Sequence, residues 1–241
     1  MVKMNIKRMF TRYNHDVLSG KKNKYIVIHW VGAASTAENN GKYFQGGDRG
    51  ASAHYFVDDD CIVQSVSEKN AAWAVGSRGL LDQGSPYAKY GAKYFGKCTN
   101  NNSISIEMCC KRSDSGNLYI SKKTLENTAK LVQGIQKRQR IDNAHVIRHF
   151  DVNGKVCPLP YIEQSKWEDV HALLTGQKFK IRTKGKLIVR KTDKLTSKRI
   201  DLLEKGKTYQ IVRTNKKGNR GKLKSGGWIT ITEKYCEKLS N

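Results

Sequence analysis

After "LLTGQK" (Leu173 to Lys178) the pattern of this 241-residue chain changes, which divides it into two folding units of different class. Upstream of the break, strand and helix patterns are mixed. "KYIVIHW" (Lys24 to Trp30) is a short apolar run rich in β-branched residues and predicts a buried strand. "AHYFVDDDCIVQSV" predicts a hairpin that turns at Asp58–Asp60. In "NSISIEMCC" polar and apolar residues alternate. Ser103, Ser105 and Glu107 therefore share one strand face, and Ile104, Ile106 and Met108 the other. Ser121 is placed to cap a helix with the apolar stripe Leu125, Ala129, Val132 and Ile135. "HVIRHF" predicts a further strand, and Ser165 with Glu168 a capping box for a helix carrying Trp167, Val170 and Leu174. This is an α/β domain over residues 1–175.

Downstream no helical period is found. Short strand-like runs ("KLIVRK", "KTYQIVRT", "GWITIT") alternate with polar turns rich in lysine and glycine, which predicts a small all-β barrel over 181–241 with 176–180 as connector. Charge follows the same division. Residues 178–241 hold 20 of the 45 basic but only 5 of the 21 acidic side chains, within a formal net charge of +24. Such an excess calls for a polyanionic partner: nucleic acid, an anionic membrane or an anionic wall polymer. No apolar run reaches the ~18 residues of a membrane span. The first residues, "MVKMNIKRMFTRYNHD", lack the apolar core of a signal peptide, so synthesis in the cytoplasm is expected. Six cysteines without a CxxC pair argue against a disulfide framework and a zinc ribbon. Five of them read as buried free thiols.

Cys157 is different, because "VIRHFDVNGKVCP" (Val146 to Pro158) sets it after His149 and Lys155 with Gly154 between them. A hydrolytic zinc site uses three protein ligands and keeps a position for water. The glycine loop can fold back so that His149 and Cys157 meet one ion. His29, at the end of the first strand, is the best third candidate, with His54 and His145 as alternatives. On a straight strand His145 and His149 would share a face about 13 Å apart at ~3.3 Å per residue, too far for one ion. Glu107 could carry the proton of an attacking water, and Lys155 could stabilise an oxyanion. Each has a blander reading as a solvated charge.

"YIVIHW", "SAHYFVDDDCIVQSV", "AAWAVGS", "NNNSISIEMC" and "IRHFDVNGKVCP" occur in an order and spacing that resemble zinc-dependent N-acetylmuramoyl-L-alanine amidases of the type-2 amidase, or peptidoglycan-recognition, fold. The resemblance covers about residues 20–175. It implies a mixed central sheet flanked by helices, Zn2+ held by His29, His149 and Cys157, and Glu107 with Lys155 as the catalytic pair. It further implies that Asp151 supports the ligand loop as a partner behind the metal ligands, and that His54 and Trp73 line the substrate groove. Many relatives read A-W-H-x-G where this chain has Ala72-Trp73-Ala74-Val75-Gly76, a departure that bears on specificity. The C-terminal region resembles bacterial SH3-like wall-binding domains, through "LIVRKT", "LLEKGKTYQIV" and "GGWITI". That implies Tyr209, Trp228 and Tyr235 as candidate wall contacts.

The expectation is thus a monomeric peptidoglycan amidase of the phage endolysin type, made in the host cytoplasm and released to the wall through a holin. Its partners would be peptidoglycan and anionic wall polymers. Two alternatives stand beside it. One is a non-catalytic peptidoglycan-binding protein, whose kind typically loses the cysteine ligand. The other is a nucleic-acid-binding protein, motivated by charge, although the basic residues are scattered over turns rather than arrayed for specific readout.

Overall fold

The computed structural model describes residues 6–76, 91–215 and 217–239, so Ser77 of "AAWAVGS" lies outside the described residues. The chain divides into two compact units, Met1–Val170 and His171–Asn241.

In the first unit, strands β1 (Ile6–Arg8), β2 (His15–Asp16), β3 (Tyr25–Ala34), β4 (Tyr55–Val57), β5 (Ile62–Gln64), β6 (Ala71–Ala72), β7 (Ser103–Arg112), β8 (Leu118–Tyr119) and β9 (Val146–Arg148) accompany helices α1 (Ala37–Gln45), α2 (Lys122–Gln139) and α3 (His149–Asn153), and helix α4 (Gln164–Leu174) begins in this unit and continues past its last residue. The main sheet runs β1-β5-β4-β7-β3-β9, with β8 beside β7. It is mixed: β4-β7, β7-β3 and β3-β9 are parallel, whereas β4-β5 is the antiparallel hairpin expected around Asp58–Asp60. Asp58 organises that turn. Its Oδ1 accepts from the backbone N–H of Asp60 and Cys61, both at 2.8 Å, and its Oδ2 accepts from Ala37 at the start of α1 at 2.7 Å.

One sheet face is largely apolar. Ile26, Ile28, Ile104, Ile106 and Met108 are all 0% exposed, and α2 packs on β7 and β4. Ser121 caps α2 as expected, accepting from Thr124 N at 3.0 Å. The buried face of α2 differs from the expected stripe: Leu125 is only half-buried, while Thr124, Thr128 and Leu131 join Ala129, Val132 and Ile135 inside. Thr128 can be buried because its hydroxyl donates to Thr124 O at 2.8 Å.

Two expected boundaries move. The strand read in "HVIRHF" ends at Arg148, and His149 opens α3 instead. The cause is Asp151, whose carboxylate accepts from Arg148 N at 2.8 Å and so starts a helix where alternation alone would extend the strand. Helix α4 begins at Gln164, which puts Ser165 inside its first turn; the serine hydroxyl donates to Glu163 at 2.7 Å rather than capping. Trp167, Val170 and Leu174 are buried, as the spacing predicts.

The second unit is β-rich. Strands β10 (Phe179–Thr183), β11 (Leu187–Arg190), β12 (Arg199–Leu203), β13 (Thr208–Thr214), β14 (Arg220–Leu223), β15 (Trp228–Thr230) and β16 (Cys236–Leu239) form an antiparallel sheet in the order β12-β11-β15-β14-β13-β10-β16. Its core is Phe179, Ile181, Leu187, Val189, Leu203, Ile211, Leu223, Ile229 and Cys236. Strand β10 starts within the stretch read as a connector, and its alternation turns Phe179, Ile181 and Thr183 inward with Lys180 and Arg182 outward.

Candidate metal centre

Sheet register brings the site together. His29 on β3 stands directly opposite Glu107 on β7, and Ile28 stands opposite Arg148 on β9. Because β9 ends there, the next residue, His149, leaves the sheet beside His29. The rings meet edge to face with centroids 4.7 Å apart. The loop then folds back on itself. Gly154 ends α3 with φ +86°, a left-handed conformation that a Cβ would strain, and its N–H donates to Phe150 O at 3.0 Å. Phe150 N donates to Cys157 O at 2.9 Å, closing the loop and returning the thiol to the histidines.

One ligand atom from each of His29, His149 and Cys157 lies within 4.8 Å of the others. Cys157 Sγ is 3.8 Å from His29 Nδ1. All three side chains are buried. Burial first, then the nearby positive charge of Lys155, holds the His149 pKa down to about 3. His29 is held well below its ordinary value by burial first, then by His149 and Lys155. Both rings are therefore neutral, the form that binds metals. Burial raises the Cys157 thiol pKa. His149 Nδ1 is buried without a hydrogen-bond partner among the described residues, as is Glu107 Oε2. Two nitrogens, one sulfur and buried unsatisfied polar atoms fit zinc in chemistry and number, leaving room for a water.

Glu107 Oε1 lies 3.8 Å from His29 Nδ1, and the side chain keeps 21% of its surface open. Burial pushes its pKa up to about 7, and the Lys155 charge opposes that rise. Lys155 itself is exposed. Asp151 reaches neither histidine ring. Its carboxylate grips Arg148 instead, accepting from Nε at 3.0 Å and Nη2 at 2.7 Å. The remaining Arg148 nitrogen, Nη1, donates to the carbonyls of Tyr161 and Ile162 at 3.1 and 2.7 Å. Asp151 thus supports the loop through Arg148, and the ring partner behind His149 is another residue, Asn153.

His54 requires a correction. It is 0% exposed and has no face for a substrate. Its Nδ1 accepts from Ser105 N at 3.0 Å, and its Nε2 lies 3.1 Å from Asn70 O, so the ring stitches β7 to the segment before β6. His145, the other alternative ligand, sits on a surface turn with its ring 2.6 Å from Asp142. Trp73 presents a 40% exposed side chain, while its backbone N–H is anchored by Ser52 Oγ at 2.9 Å. In the second unit Tyr209 packs on the core and borders a shallow groove of about 440 Å³ with Gln210, Leu223 and Lys224. Trp228 is half-buried under the Arg213 guanidinium, and Tyr235 is 39% exposed; neither lines that groove.

Sequence reasoning overlooked Arg148 and Asn153. An Arg-x-x-Asp spacing inside the ligand loop is a signal for the first, since i and i+3 meet once a helix starts there. Nothing marks an asparagine in a loop as more than a turn former.

Comparison with known proteins points one way. A family model described as N-acetylmuramoyl-L-alanine amidase matches residues 19–160. N-acetylmuramoyl-L-alanine amidase CwlL of Bacillus licheniformis is 30% identical over 148 residues, covering 59% of this chain and 38% of that protein. CwlA of Bacillus subtilis (strain 168), an amidase of the same name, is 26% identical over 195 residues, covering 78% of this chain and 64% of CwlA. The chain therefore spans less than two thirds of either relative. A structure described as a mutant endolysin from Bacillus subtilis superposes with a TM-score of 0.53 at 25% identity, covering 71% of this chain and 99% of that one.

Proposed function

The chain belongs to the N-acetylmuramoyl-L-alanine amidase family, and on that premise we propose that it hydrolyses the amide between the lactyl group of N-acetylmuramic acid and L-alanine of the peptidoglycan stem. The observation that carries the reading is the convergence of His29, His149 and Cys157 beside Glu107. Zinc held by those three residues would supply a Lewis acid for the scissile carbonyl and a water of lowered pKa. Glu107 takes the proton of the attacking water and delivers it to the leaving alanine nitrogen. Burial raises the pKa of this carboxyl, which favours both transfers. Lys155 offers its ammonium to the oxyanion as the carbonyl becomes tetrahedral. The exposed Trp73 indole would contact the glycan or stem peptide.

The β-rich second unit acts, on this reading, as an SH3-like wall-binding module. Tyr209, Trp228 and Tyr235 are its candidate contacts, and its positive charge favours phosphate-bearing wall polymers. An endolysin role is supported by the likeness to the Bacillus subtilis endolysin structure; action as a monomer after holin-mediated release belongs to the same proposal. Among the described residues no helix is long and apolar enough to cross a membrane.

Digestion of purified Gram-positive walls tests the activity, with new N-terminal L-alanine and new reducing sugar ends assayed in one sample. Alanine N-termini should appear without reducing ends. New reducing ends would mean a glycosidase, and binding without any release would mean a recognition protein.

A further inference from the structure

Asn153 is 1% exposed, and its Nδ2 position lies 3.1 Å from His149 Nε2. Its Oδ1 position accepts from the backbone N–H of Lys155 at 3.2 Å. One carboxamide therefore joins the back of a candidate metal ligand to the backbone of a candidate catalytic lysine. Asn153 occupies the Nε2 side of the His149 ring, which leaves the buried, unpartnered Nδ1 as the nitrogen free for the ligand cluster. His29 has no such support: its Nε2 is buried without a partner among the described residues.

Resting on the zinc reading of the site, we infer that Asn153 is the positioning residue that orients His149 for metal binding. A metal-bound histidine gains orientation and basicity when its second ring N–H meets an acceptor, and losing such a partner typically weakens metal binding about 10- to 100-fold. The two ends of a carboxamide have nearly the same shape, and hydrogen-bonding demand decides which one faces the ring. Were a metal bound through Nδ1, Nε2 would carry the ring proton; the carboxamide oxygen would then turn to accept it, and the Lys155 N–H would lose that acceptor. Aspartate has the same outline with an acceptor at both ends, so it can serve the His149 ring and the Lys155 N–H together. Leucine has similar bulk and no acceptor at all.

The test is zinc affinity of the purified full chain, stripped and titrated in competition with a chromogenic chelator, for the unaltered protein and for Asn153→Asp, Asn153→Leu and Asn153→Ala. Circular dichroism of the zinc-free forms reports folding, and Asn153→Ala carries the comparison where the leucine variant does not fold. The expected result is zinc binding about 10- to 100-fold weaker for Asn153→Leu and Asn153→Ala, with Asn153→Asp as tight as the unaltered chain or tighter. Unchanged affinity in the leucine and alanine variants would overturn the assignment. So would an aspartate variant as weak as leucine, since that marks a need for a neutral amide in packing. An unaltered chain that takes up no zinc would refute the zinc reading itself, an outcome distinct from uptake indifferent to residue 153.

Discussion

Glu107→Gln should lower hydrolysis of the muramoyl–alanine amide by about 10²- to 10⁴-fold while zinc binding and folding stay intact. The size follows from what the carboxyl does. Gln keeps the outline of Glu107, so β7 and its neighbours repack little. It cannot take a proton from water or return one to the departing amine. Glu107 lies beside His29 without belonging to the three-ligand cluster, so the variant separates proton transfer from metal retention. The measurement is the rate of alanine N-terminus release at saturating wall substrate, with zinc content determined on the same preparation. A fall of less than tenfold would remove Glu107 from proton transfer. Loss of zinc together with rate would make it a determinant of the metal site instead.

Arg148→Met should cost about 3–5 kcal/mol of stability, the penalty of leaving one partner of a buried ion pair alone. The Arg148 side chain is 4% exposed, and its bidentate contact with Asp151 is one of several bonds that would be lost. The carbonyls of Tyr161 and Ile162 lose their donor as well, and the guanidinium no longer lies over the rings of Phe150 and Trp167. These contacts tie α3 to the segment after Cys157, so the loop bearing two of the three candidate ligands should loosen with the fold. Denaturant unfolding of the zinc-free chain reads the cost directly. A loss under about 1 kcal/mol, in the range of an exposed pair, would show that the contact is dispensable.

Much of this architecture is legible in local pattern. Strands β3 and β7, the hairpin at Asp58–Asp60 and the Ser121 cap follow from alternation, turn chemistry and capping, which depend on neighbouring residues. The pairing of His29 with Glu107 does not, because strand register joins residues distant in sequence. The choice of the third ligand, open on spacing, becomes geometry only when β9 stops at Arg148 and hands His149 to a helix. That stop depends on a side chain, Asp151, bonding to a backbone N–H three residues earlier, which hydrophobic pattern does not register. Burial is also non-local. His54 resembles a groove residue in sequence, yet the fold buries it completely with its ring bonded to Ser105 N and beside Asn70 O. In the second unit, β10, β12, β14 and β16 are harder to see than β11, β13 and β15. In β10 and β16 the outward positions are filled by Lys, Arg and Glu, β12 exposes Ile200 beside Arg199 and Asp201, and β14 buries Arg220 and Gly221, so apolar pattern marks these short strands weakly.

The central claim is a single zinc centre built by His29, His149 and Cys157. Elemental analysis of the purified chain beside Cys157→Ser tests it most directly. The account predicts about one zinc per chain in the unaltered protein and little in the serine variant, with amide hydrolysis lost in proportion. Full amide hydrolysis by a chain free of zinc, or zinc retained undiminished without the Cys157 thiol, would contradict it.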